Sequence, residues 1–188
     1  MADIIRIAGI CGSLRERSYN LGALEYAKTV APEGVELDII RINDVEPFNA
    51  DVEAKGWPPG VQALRDKVEP AHAVLLASPE YNYGVPGVLK NATDWLSRPT
   101  GNGPISGKPL AVMGASTSYS GTARGQADWR NVAYYNSMPL LTTVEVLIFK
   151  ADERFDADGR LVDEKSRSKV KQLMDEFTAW IRLVGKTG

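Results

Sequence analysis

Short, almost wholly apolar runs alternate along this chain with longer stretches whose apolar residues recur every three or four positions. Ile4–Ile10 (IIRIAGI), Val35–Ile42, Ala73–Ala77 (AVLLA), Pro109–Ala115 and Thr142–Phe149 are the apolar runs. Runs this short predict buried strands, and strands buried on both faces predict a parallel sheet with helices on each side. Ser18–Ala31, Val61–Val68, Gly87–Ser97 and Thr122–Asn136 carry helical spacing between them. Val170, Leu173, Met174, Phe177, Ile181 and Val184 form one stripe, which predicts a last amphipathic helix. Five strands alternating with helices predict a doubly wound α/β domain with a five-stranded parallel sheet. Asp44–Gly60 lacks periodicity and holds Pro47, Trp57, Pro58 and Pro59, so it reads as a long surface loop.

Composition narrows the function. The 188 residues, 44% hydrophobic and 24% charged, suit a single domain over 1–188 with one sizeable core. A net charge of −2 lacks the basic footprint of a nucleic-acid partner. Cys11 is the only cysteine and His72 the only histidine, so neither an intramolecular disulfide nor a His/Cys metal cluster is expected. The first apolar stretch is interrupted by Arg6 and is too short to span a bilayer. The expectation is a cytoplasmic protein without a membrane partner and without a metal.

Polar and small residues concentrate after the first, third and fourth strands. In a doubly wound sheet these loops meet beyond the carboxyl ends of the strands, where ligands bind. The first loop, Cys11–Tyr19, offers hydroxyls from Ser13 and Ser18 and the forked guanidinium of Arg15, with Asn20 and Leu21 just inside the next helix. A capped helix start presents free N–H groups to an anion. This loop is neither a Walker A loop nor a Gly-x-Gly-x-x-Gly turn. The second, Ser78–Pro86, carries Pro79, Glu80, Tyr81, Asn82, Tyr83 and Gly84, which suit an aromatic ligand with polar edges. The third, Ala115–Gly121, opens with Ser116 and can close the pocket from the other side. Each loop taken alone also fits an ordinary polar connection.

Together the motifs resemble the NADPH-dependent FMN reductase family, which includes quinone, azo-dye and chromate reductases. The resemblance rests on Gly12-Ser13-Leu14-Arg15-x-x-Ser18-x-Asn20 and Pro79-Glu80-Tyr81-Asn82. It extends to Pro86-Gly87-x-Leu89-Lys90-Asn91-x-x-Asp94-Trp95 and to the element order over nearly the whole chain. Gly84 stands where the family often has Ser, and Ser120-Gly121 replaces a more usual Gly-Gly. The resemblance implies a flavodoxin-like sheet of order 2-1-3-4-5, FMN as cofactor and NAD(P)H as co-substrate. It implies a ping-pong transfer of electrons to a small acceptor such as a quinone, flavin, azo dye or metal oxyanion. It places the FMN phosphate on Ser13, Arg15, Ser18 and Asn20, beside Leu21. The ring system lies beside Pro79, Glu80, Tyr81, Asn82 and Gly84, flanked by Ser116. A homodimer or homotetramer is implied, with Arg124 and Glu145 as candidate contacts between subunits. No protein acid or base is required, because the flavin N5 carries the hydride.

The residues leave other readings open. A flavodoxin-like electron carrier binds FMN but turns over NAD(P)H slowly, and a flavin-containing regulatory protein needs no turnover. A phosphate-binding hydrolase needs a nucleophile, and Cys11 lacks a Cys-x5-Arg arrangement. The physiological acceptor and the choice between NADH and NADPH are not legible.

Overall fold

The computed structural model describes residues 4–185. Five parallel strands form one sheet: β1 (Ile5–Cys11), β2 (Val35–Ile40), β3 (Ala73–Ala77), β4 (Leu110–Ala115) and β5 (Val146–Ile148). Their order is β2-β1-β3-β4-β5, the order implied by the resemblance. The register sets Ile7 beside both Leu37 and Ala73, and Leu76 beside Val112. β3 and β4 are buried at every position, as strands covered on both faces must be.

Helices cover the two faces. On one side lie α1 (Tyr19–Thr29) and α6 (Glu164–Val184), whose Leu24, Ala27, Leu173, Met174 and Phe177 pack on Ile7, Leu75 and Met113. On the other lie α3 (Pro59–Val68), α4 (Gly87–Leu96) and α5 (Ala123–Tyr135), which bring Leu64, Leu89, Leu96 and Trp129 against Ile10, Val74 and Leu76. Chain crossings on opposite faces leave a crevice beyond the carboxyl ends of β1 and β3.

Some boundaries differ from the pattern in the sequence. The stretch expected to be one long loop contains a short helix, α2 (Ala50–Glu53), capped by Asn49, and the start of α3 at Pro59. The prolines break the periodicity there, yet Pro59 suits a first helical turn, where its missing N–H has no partner to lose. The segment is also strapped to α4: Asn91 bonds the Phe48 N–H and the Glu46 carbonyl, and Trp95 Nε1 donates to the same carbonyl at 2.8 Å. Trp57 is half-buried beneath the Arg65 guanidinium, 4.0 Å from its ring centroid. β5 is shorter than its apolar run, because Thr142 and Thr143 are exposed and the Thr143 hydroxyl turns to Glu176. The last helix starts earlier than its stripe, at Glu164, since Asp163 caps it.

Asp163 has two tasks. Its carboxylate accepts from the Ser166 N–H at 2.8 Å and from Arg154 Nη1 at 2.7 Å. Burial pushes its pKa up, but the bonds from Ser166 and Arg154 outweigh that and hold it below the ordinary carboxylate range. A carboxyl with a lowered folded-state pKa stabilises the fold above its unfolded value near 4, and the stabilisation fades as pH falls through the lower folded value. Asp163→Ala is expected to cost about 1–2 kcal/mol at neutral pH and to shrink that deficit below about pH 4, read by urea unfolding at both pH values.

Candidate functional site

At the carboxyl rim of the sheet, backbone bonds continue past the strand ends and stitch neighbouring loops together. Gly12 N–H donates to the Ala77 carbonyl at 2.9 Å, Ser78 N–H to Met113 at 2.8 Å and Ser116 N–H to Ile148 at 2.9 Å. Gly12 sits in a close approach of loops: a Cβ there would meet Leu89 Cδ2 at 2.7 Å, Pro79 Cδ at 3.0 Å and the Ala77 carbonyl oxygen at 3.1 Å. At Gly114 an added Cβ meets the Ser78 carbonyl oxygen at 2.2 Å and Thr122 Oγ1 at 2.3 Å, so the second and third loops cross closely over β4.

The loop after β1 carries most of the predicted anion ligands. Ser13 is buried, and its hydroxyl accepts a long bond of 3.4 Å from the Arg15 N–H. Ser18 caps α1, accepting from the N–H groups of Asn20 at 3.2 Å and Leu21 at 3.4 Å. The Leu21 side chain is partly buried against the core, so only its backbone faces the helix start. The exposed Arg15 guanidinium lies 5.4 Å from the Tyr19 ring centroid. A cavity of about 300 Å³, lined by Arg15, Arg17, Tyr19, Asp152 and Phe155, opens on its flank. Asn20 also joins two loops. It is buried, and its amide exchanges two bonds with the Ala115 backbone at 2.9 and 3.0 Å. That crosslink ties the start of α1 to the end of β4.

The loop after β3 is a hairpin turn. Tyr81 and Gly84 exchange backbone bonds at 3.2 and 3.0 Å, with Asn82 at φ 51° and Tyr83 at φ 65°. Left-handed backbone at both central residues defines the type I′ geometry that suits Asn well and an aromatic residue poorly. The Arg124 guanidinium, 4.0 Å from the Tyr83 ring centroid, holds the unfavoured residue in place. A Cβ at Gly84 meets only Asp128 Oδ2 at 3.5 Å and Tyr81 O at 3.9 Å, so space does not demand glycine there. Pro79 is buried, whereas Tyr81 and Asn82 are exposed.

The Glu80 side chain turns to its own chain. Its Oε2 accepts from the N–H groups of Arg124 and Gly125, both at 2.9 Å, and its side chain is 5% exposed. Thr122, at the N-cap of α5, makes no side-chain cap. Glu80 therefore caps α5 from a distant loop, where a carboxylate suits the positive end of the helix dipole. The half-exposed Arg124 side chain, a candidate contact between subunits, lies 3.9 Å from Glu80 Oε1 and 4.0 Å from the Tyr83 ring centroid. Glu145 is exposed. In the third loop, Ser116, Ser118 and Ser120 bond one another, and Ser118 Oγ donates to the Gly121 carbonyl at 3.0 Å.

Two contributors escaped the sequence pattern. Trp129 Nε1 donates to Ser78 Oγ at 2.9 Å and ties α5 to the second loop. Arg41 Nη2 donates to the carbonyls of Leu14 and Arg15, both at 3.1 Å. Both act on partners remote in sequence, so no local spacing marks them. The scarce candidates for acid–base or thiol chemistry lie elsewhere. His72 Nδ1 accepts from the Arg6 N–H at the amino end of the sheet. The Cys11 thiol is buried, and burial pushes its pKa up. Among the described residues no three His, Cys, Asp or Glu side chains gather to hold a metal ion. No described helix is long and apolar enough to cross a membrane.

Comparison with known proteins identifies relatives of the chain. The chain is 43% identical over 182 residues to an NAD(P)H-dependent FMN reductase of Pseudomonas aeruginosa, covering 97% of this chain and 98% of that one. It is 35% identical over 178 residues to a 2-hydroxy-1,4-benzoquinone reductase of a Burkholderia species, covering 95% and 97%. It also superposes on FerB, a flavoenzyme NAD(P)H:(acceptor) oxidoreductase from Paracoccus denitrificans. That match has a TM-score of 0.86 at 34% identity and covers 97% of this chain and all of that one. Residues 5–153 match the family model described as NADPH-dependent FMN reductase, and the chain belongs to that family.

Proposed function

We propose that this protein is an FMN-bearing NAD(P)H oxidoreductase that passes electrons to a quinone-type acceptor by a ping-pong mechanism. The observation that carries the reading is the rim, where loops after β1, β3 and β4 are stitched into one surface that includes the Ser18-capped start of α1. The relatives named for FMN and quinone reduction support the cofactor and the substrate class.

The donor set suits FMN. Ser13, Arg15 and Ser18 provide two hydroxyls and a guanidinium at the start of α1, the chemistry a phosphate monoester requires. Asn20 acts in this reading by fixing the loop, and Leu21 by its place in the first turn. The backbone of Pro79–Asn82 and Gly84 would border the ring system, with Glu80 holding that loop to α5 and Ser116 flanking the opposite side. When bound, FMN accepts and donates hydride at its N5. The protein supplies binding, orientation and shelter from water. No side chain on the rim needs to move a proton, in keeping with the distant His72 and the buried Cys11. NAD(P)H and acceptor take turns at one opening, bordered by the exposed Tyr81.

The chain is read as one FMN-binding domain over 1–188, since α6 packs beside α1 on the same sheet face. A cytoplasmic location suits an enzyme that draws on NAD(P)H. A homo-oligomer with α4 near the interface accounts for the exposed aromatic surface beside that helix. Tyr135 is 67% exposed, and with Lys90 and Asp94 it lines a groove of about 400 Å³ between α4 and α5.

Initial rates with NADPH varied against a benzoquinone are expected to give parallel double-reciprocal lines. Intersecting lines would rule out alternating access, and absence of NADPH consumption would leave a flavin carrier. Arg15→Ala is expected to weaken FMN about ten- to hundredfold while leaving riboflavin, which lacks the phosphate, nearly unchanged. Titration of the flavin-free protein with each flavin measures the difference. Sedimentation at micromolar concentration is expected to show at least a dimer; a fully active monomer would refute that assembly.

A further inference from the structure

Arg41 follows the last residue of β2 and reaches under the loop that joins β1 to α1. Its Nη2 donates to the carbonyl oxygens of Leu14 and Arg15, each at 3.1 Å, and Asn43 Nδ2 adds a longer contact of 3.4 Å to Leu14. Its Nε is buried and has no hydrogen-bond partner among the described residues. A buried guanidinium N–H without a protein partner carries a desolvation cost that invites a compensating role.

Peptide geometry supplies one. In a trans peptide the C=O and N–H of one unit point in opposite directions. Holding the Leu14 and Arg15 carbonyls toward β2 therefore turns the N–H groups of Arg15 and Glu16 the other way. The Arg15 N–H does face Ser13 Oγ, one of the proposed phosphate ligands. Without Arg41, two carbonyl dipoles would be free to swing toward the anion and repel it. A phosphate monoester also carries between one and two negative charges near neutral pH, more than Arg15 alone balances. The Arg41 charge reaches this region, since it acts on the Cys11 thiol at the end of β1.

We propose that Arg41 is a positioning residue for the cofactor phosphate: it clamps the Leu14 and Arg15 carbonyls, aims the loop's N–H groups at the anion and adds a second positive charge behind them. This rests on the FMN reading above and extends it to a residue outside the loop motif.

The test is the ratio of FMN to riboflavin affinity, measured by quenching of flavin fluorescence on the flavin-free full chain. Arg41→Met keeps the bulk of the side chain and removes its charge and its fork. It is expected to lower the ratio about tenfold, with riboflavin binding nearly unchanged. Arg41→Lys keeps the charge and is expected to restore part of the ratio. An Arg41→Met ratio equal to wild type, or equal weakening of both flavins, overturns the proposal. If Arg41→Met does not fold, Arg41→Lys decides, and a wild-type ratio there overturns the clamp. A ratio lowered by Arg15→Ala but untouched by Arg41→Met rejects this role and keeps the phosphate placement. A wild-type protein that binds both flavins equally rejects both.

Discussion

Asn20 closes both ends of its amide on the backbone of Ala115, and the arrangement of the rim depends on that pair of bonds. β3 lies between β1 and β4, so no ladder of backbone bonds can couple the loop after β1 to the end of β4. A side chain must span the gap. Asn suits the task because it offers a donor and an acceptor side by side, matching the N–H and C=O of one residue. With the amide buried, removing either bond leaves an unsatisfied polar group in a low-dielectric interior. The start of α1, with Ser13 and Ser18 around it, is thereby held at a set distance from the loop that follows β4.

The second loop is fixed in a comparable way from the other side. Glu80 carries its charge to the first turn of α5, and Trp129 within that helix returns a bond to Ser78. Loop and helix each supply the group the other lacks. The Tyr81–Gly84 turn then projects from a base bonded on both sides, with the left-handed Tyr83 under Arg124. A flavin ring bordered by this turn would meet backbone whose direction is already set, which lowers the ordering cost of binding.

Arg41 extends the same logic to the phosphate end. Its contacts are with carbonyls, groups an anion avoids, and their removal from the binding surface is as useful as the presence of donors. In the proposed phosphate site Ser13, Arg15 and Ser18 would form the inner layer, with Asn20, bonded to the end of β4, and Arg41, at the end of β2, behind it.

Much of the architecture was legible in order along the chain. Apolar runs such as Ala73–Ala77 marked strands, because burial on both faces leaves no polar position to interrupt them. The stripe from Val170 to Val184 marked α6, because one helix face meets the core. The loops that meet were legible too, since parallel crossovers place every strand's carboxyl end at one rim, and Gly12, Ser13, Ser18 and Pro79 stood out there by residue type. Sequence could not assign the partners of the remaining polar groups. Asn20 and Glu80 belong to binding motifs, yet one joins two loops and the other caps a helix 44 positions away. Arg41 and Trp129 belong to no local pattern, and Asp44–Gly60 looked irregular although Asn91 and Trp95 hold it to α4. Periodicity records which face of an element is buried, and that is a local property. The partner of a buried amide, carboxylate or guanidinium is chosen by proximity across the fold, which only the packed tertiary structure decides.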